Sequence, residues 1–165
     1  MLTIRAATRD DVPTILSMVR ELAAYERAPD AVTATESGFV RHGFGERPLF
    51  HVLIGELHGE PAGFALYFFG FSTWTGAPVL YLEDLFVRPE HRKQRVGLSL
   101  MQALAREAVS RGCGRFVWQV LDWNDPALRF YESLGATVLR EWLIVRVDGD
   151  ALFRLAGSAT GPTSA

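Results

Sequence analysis

Glu83 and Asp84 stand side by side inside the apolar stretch YLEDLFV. A few residues later the chain reads HRKQRVG, with His91, Arg92, Lys93 and Arg95 but one glycine, Gly97. The first pair has the chemistry to move a proton or hold a cation. The second group has the chemistry to hold an anion. Carboxylates are depleted in strand interiors, and burying one unpaired is costly. The pair therefore marks either a strand end, where both reach solvent or ion partners, or a carboxylate set beside a bound substrate. Strand alternation puts Tyr81, Glu83 and Leu85 on one face and Leu82, Asp84 and Phe86 on the other.

The basic run has two readings as well. A helix start gathers unpaired N–H groups and the positive end of the helix dipole. Directly after a buried strand it is a natural anion site. Glycines help, because a phosphate must approach the backbone closely. A nucleoside-triphosphate loop needs a glycine-rich run ending in Lys and then Ser or Thr, which is absent. A dinucleotide fingerprint needs three spaced glycines, also absent. On glycine count alone a plain basic surface loop competes with a phosphate cradle.

These residues need elements to hold them. LTIRAA alternates as a strand, and Thr8 can cap a helix in which Val12, Ile15, Leu16, Val19, Leu22 and Ala23 recur at helical spacing. TATE, residues 33–36, has capping-box spacing and opens a short second helix. FHVLIGEL, AGFALYFFGF and VLYLEDLFV read as strands, the first two joined by a hairpin at LHGEPAG. A helix over about residues 96–111 buries Val96, Leu100, Met101, Leu104 and Ala108 and stops at GCG. RFVWQV is a strand, and NDPALRFYESLG a short helix with Pro126 in its first turn and Gly135 as its stop. TVLREWLIVRV and ALFRL are expected as further strands. The result is one α/β domain over residues 1–156 with a mixed sheet and flanking helices, and a disordered tail over residues 157–165.

The chain has 165 residues, enough for one substantial core, and a net charge of −2, so no global basic field argues for nucleic acid. Its one cysteine, Cys113, excludes an internal disulfide and suits a reducing cytoplasm. The histidines His42, His51, His58 and His91 lack metal-ligand spacing, so no metal is expected. The opening residues show no apolar signal segment, and no run reaches the roughly 20 apolar residues of a membrane span. The expectation is a cytoplasmic protein without a membrane partner.

The strand, turn and helix around residues 81–100 resemble the GNAT superfamily of N-acetyltransferases, and the likeness runs from IRAATRDDVPTI to RFYESLGA. The family's turn follows Arg/Gln-x-x-Gly-x-Gly/Ala. Here Arg92 and Gly97 fit, and Arg95 replaces the middle glycine. RELAAYER, GFGERPLFH, FSTWTG, YLEDLFV and WNDPALRFYESLGA further resemble the diamine acetyltransferase subgroup. Ser72 stands where polyamine-preferring members carry an acid, which favours the thialysine-type branch or another small amine.

The resemblance implies the GNAT fold, with a mostly antiparallel mixed sheet splayed at the acetyl-CoA site. It implies acetyl-CoA as cosubstrate, a small-molecule amine as acceptor and a homodimer. It assigns Glu83 as acceptor of the amine proton and Tyr131 as donor to the CoA thiolate. Glu83 holding the ammonium and Tyr131 serving as a packed aromatic are the alternatives. Leu85, Phe86 and Val87 would pair with pantetheine through their main chain. Arg92, Lys93, Gln94, Arg95, Val96, Gly97 and Leu98 would surround the pyrophosphate, and Asn124, Asp125, Pro126 and Ala127 add coenzyme contacts. Tyr25, Glu26, Trp74, Val117, Trp118 and Gln119 would line the amine site. Tyr25 also lies on a helix rich in core residues, so plain packing is the alternative reading.

Cys113 has no His or Asn tied to it by spacing, so direct transfer in a ternary complex is expected rather than an acyl-enzyme. Two other functions stay open: a non-catalytic acyl-CoA-binding regulatory module, which Arg95 favours, and protein or peptide lysine N-acetylation.

Overall fold

The computed structural model describes residues 1–157. They fall into two compact units, Met1–Gln119 and the described part of Val120–Ala165. From residue 158 onward the expected tail lies outside the described residues.

The first unit contains β1 (Leu2–Ala6), α1 (Val12–Tyr25), α2 (Glu36–Gly43), β2 (His51–Leu57), β3 (Glu60–Ser72), β4 (Ala77–Val87), α3 (Val96–Ser110) and β5 (Arg115–Trp118). The strands form one sheet in the order β1-β2-β3-β4-β5, antiparallel except for the parallel pair β4–β5. The β2–β3 hairpin turns on His58 and Gly59, with φ of 55° and 88°. Two successive positive φ values give the turn whose twist matches that of the flanking strands.

Each sheet face has its own cover. Ile15, Met18 and Leu22 of α1 lie against Val52, Ile54, Phe64, Leu66 and Phe86. On the other face, the five residues expected to be buried on α3, from Val96 to Ala108, are all buried. The α3 helix needs Gly55 beneath it, because a Cβ there would lie 2.8 Å from Val96 Cγ1. The helix ends as GCG implied. Gly112 has φ 66°, its N–H bonds to the Val109 carbonyl, and the Cys113 N–H bonds to the Ala108 carbonyl.

Some boundaries differ from expectation. Thr35, not Thr33, caps α2, its hydroxyl accepting from the Gly38 N–H at 3.1 Å. A cap is chosen by which residue leaves the extended region, and Thr35 holds φ −115°, ψ 157° directly before the helix. The RFVWQV strand shortens to Arg115–Trp118.

In the second unit α4 (Asp125–Ser133) forms where expected. Asn124 caps it, accepting from the Ala127 N–H at 3.3 Å, and Gly135 closes it at φ 85°. The two strands expected after it are absent. Residues 137–147 lie in no strand, and ALFRL sits inside a helix, α5 (Gly149–Leu155). Ala, Leu and Arg are good helix formers, and five residues are too few for their period to separate a strand from a helix turn. A strand-patterned segment also needs cross-strand pairs to hold it, and residues 137–147 have no ladder among the described residues. Leu143, Ile144 and Val145 are consequently exposed, Val145 at 91%.

Candidate active site

The β4 strand sets the geometry. It runs beside β5 only from Val79 opposite Arg115 to Leu82 opposite Trp118. It stays paired with β3 as far as Val87 opposite Gly63. Past Leu82 its other edge has left β5, and the main chain of Leu85, Phe86 and Val87 lies along that opening. Val117, Trp118 and Gln119 stand at the end of β5, where the two strands part.

Glu83 is the extra residue of a bulge. Leu82 lies opposite Tyr67 and Asp84 opposite Leu66, so one step on β3 spans two on β4. The bulge corrects the expected alternation. Tyr67 borders Ala103 and Arg106 of α3, whereas Leu66 belongs to the core beneath α1. Leu82 therefore faces α3, while Asp84 and Phe86 face α1. Tyr81 and Leu85 no longer share a face. A period of two counts residues, and the bulge adds one.

The α1 helix brings the other acid. It ends with Tyr25, packed against the core cluster, and Glu26 as its C-cap. Arg27 then turns the chain at φ 64°, with the Ala28 N–H bonded to the Ala23 carbonyl at 2.9 Å. Asp84 is half-buried, and its carboxyl is pushed up to about 6 by burial first and then by the charges of Glu83 and Glu26. Loss of solvent likewise raises Glu26, and burial followed by the Glu83 charge raises Tyr81. Glu83 itself is exposed. Among the described residues none of the three acids has an ion-pair partner or a side-chain hydrogen bond. Such a group is an electrostatic socket for a cation. The family resemblance assigns Asp84 no role. Its adjacency to Glu83 was visible, but its turn toward α1 depends on the bulge.

The turn from β4 to α3 is pinned at its start. Arg88 pairs with Glu21 of α1 at 3.0 Å and donates to the Pro61 carbonyl at 3.0 Å. Lys93 and Arg95 adopt φ of 61° and 66°, and Arg95 is the N-cap of α3. The residue in place of the middle glycine thus takes the left-handed backbone that glycine adopts without cost. Beyond it, Val96, Gly97 and Leu98 carry the first N–H groups of α3, which have no partner within the helix. Arg92 donates through Nε to the Val87 carbonyl at 3.1 Å, and Gln94 donates to the Glu90 carbonyl at 3.2 Å.

Trp74 stands apart. It is 79% exposed in the β3–β4 turn, roughly 20 Å along β4 from Glu83 at strand rise. Ser72, buried beneath that turn, accepts from the Thr75 N–H at 3.3 Å. In the second unit Asn124, Asp125, Pro126 and Ala127 form the first turn of α4, and Tyr131 lies buried on the same helix. A cavity of about 360 Å³ lies elsewhere, against β1 and the C-terminal half of α3, lined by Arg5, Tyr67, Arg106 and Glu107 among others.

A mixed five-stranded sheet whose last two strands part beside an N–H-rich helix start is the frame of an acetyltransferase. The Acetyltransferase (GNAT) family model matches residues 15–136, and the chain belongs to that family. It is 43% identical to a thialysine N-epsilon-acetyltransferase of Sus scrofa, over 93% of this chain and 96% of that protein. It is 31% identical to L-ornithine N5-acetyltransferase NATA1 of Arabidopsis thaliana, over 90% of this chain and 85% of that protein. Among solved structures, an integron cassette protein from the mobile metagenome of V. cholerae matches with a TM-score of 0.80 at 29% identity, covering 95% of this chain and 98% of that one.

Proposed function

We propose that this protein transfers the acetyl group of acetyl-CoA to a primary amine of a small molecule, thialysine or a related diamine. The observation that carries the reading is the socket of Glu26, Glu83 and Asp84, unpaired by any cation among the described residues, beside the open edge of β4. The names of the relatives at 43% and 31% identity point to the same class of acceptor.

The residues fit the coenzyme. Leu85, Phe86 and Val87 offer main-chain groups to pantetheine as a missing strand would. The first N–H groups of α3, with Arg92, Lys93, Gln94 and Arg95 around them, suit a diphosphate. Asn124, Asp125, Pro126 and Ala127 are the further coenzyme contacts that the family resemblance assigns. When bound, acetyl-CoA supplies a thioester carbonyl and a thiolate leaving group.

An alkylammonium near pKa ~10.4 is not a nucleophile until it loses a proton. Glu83 takes that proton, directly or through water. The freed amine forms the C–N bond at the acetyl carbonyl carbon, and the C–S bond breaks. Tyr131 returns a proton to the departing sulfur. Tyr25, Glu26, Val117, Trp118 and Gln119 shape the amine site, and Trp74, roughly 20 Å along β4 from Glu83, stands outside it. The proposal includes a cytoplasmic homodimer, which the family resemblance, the lone half-buried thiol of Cys113 and the exposed apolar residues 143–145 support.

Thiol release from acetyl-CoA against an amine panel tests the reading. Wild type is expected to release thiol with thialysine. Glu83→Gln and Tyr131→Phe should each lower kcat by roughly 10²-fold or more while acetyl-CoA still binds. Full kcat in both variants at saturating substrates would remove the assigned roles. Tight acetyl-CoA binding without release for any amine would replace the enzyme with an acyl-CoA-binding module.

A further inference from the structure

Arg92 is held in two places at once. Its Nε donates to the main-chain carbonyl of Val87 at 3.1 Å, and its guanidinium carbon lies 4.8 Å from the centre of the Tyr25 ring. Val87 is the last residue of β4, past the point where β5 has left it. Tyr25 is the last residue of α1, immediately before Glu26. One exposed cation therefore spans the open strand edge and the helix end that carries an acid of the socket.

Both of its contacts are of a kind that a bound coenzyme would displace. The carbonyl of Val87 belongs to the main chain that pantetheine would pair with. A guanidinium bonds a phosphate more strongly than it bonds a neutral carbonyl, and its planar fork matches phosphate oxygens. The first N–H groups of α3, where the diphosphate would sit, begin four residues after Arg92. On the other side, an aromatic face attracts a cation, and a guanidinium over it takes the space that a substrate ammonium would use. Glu26, the residue directly after Tyr25, favours a cation near this ring whichever cation it is.

On the acetyl-transfer reading above, we infer that Arg92 is a cationic stopper: it caps the Tyr25 ring in the free protein and is drawn away by the diphosphate of the coenzyme, which opens that aromatic face to the amine. The two substrates are then coupled, and each raises the affinity of the other by the same factor.

Coenzyme A without an acetyl group allows the coupling to be read without turnover. Thialysine is titrated by calorimetry into the free protein and into protein saturated with coenzyme A. Wild type should bind thialysine at least about fivefold more tightly in the second case, and Arg92→Gln should reduce that ratio to below about twofold. Arg92 is exposed, so this variant folds. A second measurement needs no amine. Tyr25→Leu keeps an apolar side chain on the core but removes the ring, and it should bind coenzyme A about two- to fivefold more tightly than wild type. Wild-type coupling in Arg92→Gln, or unchanged or weaker coenzyme binding in Tyr25→Leu, overturns the stopper. Thiol release from acetyl-CoA, followed in parallel, separates the two ideas. Release by wild type with no gain in Tyr25→Leu removes the stopper and leaves acetyl transfer standing. A gain in Tyr25→Leu with no release for any amine keeps the stopper and removes the amine.

Discussion

Replacing Arg95 with glycine should stabilise the protein. Arg95 holds φ 66° and ψ 7°, a left-handed conformation in which an L-residue's Cβ crowds the following carbonyl. That crowding costs roughly 1–2 kcal/mol for one residue. Glycine removes it but loses more backbone freedom on folding, which offsets roughly 0.5–1 kcal/mol. The side chain contributes nothing against the change: it is exposed and, among the described residues, makes no hydrogen bond or ion pair. The net expectation is a gain of about 0.5–1 kcal/mol, or a rise in Tm of roughly 1–4 °C for a chain of this size. Urea denaturation with an unchanged m-value, alongside thermal melts, measures it. Lys93→Gly, at φ 61° in the same turn, should act in the same direction. The double variant should depart from additivity, because the two residues share one loop. Loss of stability in Arg95→Gly would refute the reasoning, for it would mean that the guanidinium holds the turn by a bond strong enough to outweigh its strain.

Asp84 makes a pH-dependent prediction. Its carboxyl is raised from 3.8 to about 6, so the native protein binds more protons than the unfolded chain between those values. Stability then falls as pH rises across that window and stays lowered above it. Asp84→Asn should raise stability at pH 7.5 by about 1–2 kcal/mol and flatten the decline, read by urea denaturation at pH 4, 5.5 and 7.5; an unflattened decline would count against it. Gly63→Ala should cost about 2–3 kcal/mol, because a Cβ there meets the Phe86 carbonyl oxygen at 2.5 Å and backbone cannot step aside cheaply. The same change pushes on the main chain offered to pantetheine, so coenzyme affinity should fall with it, as calorimetry would show.

Much of the frame was legible because it rests on local physics. Helical spacing named all five buried residues of α3, and the glycines at 112 and 135 end their helices through left-handed backbone that other residues adopt at a cost. The basic turn before α3 was legible as a candidate anion site with one irregular position. The structure turns that irregularity into a backbone conformation shared by Lys93 and Arg95. Other features were hidden. TVLREWLIVRV has the composition of a strand, but a strand exists only through a neighbour, and composition does not supply one. ALFRL is too short for its period to be read.

By itself the sequence determined which residues could do the chemistry, because composition and spacing set where helices begin, where they stop and which faces are apolar. Only the tertiary structure decided which of those residues meet. The bulge at Glu83 exists because β3 sets the register against β4, and it turns Asp84 toward α1. Arg92 reaches Tyr25 because the turn after β4 is tied to α1 through Arg88 and Glu21. Both are pairings between segments far apart along the chain, and no local pattern encodes a register or a contact that a distant segment imposes.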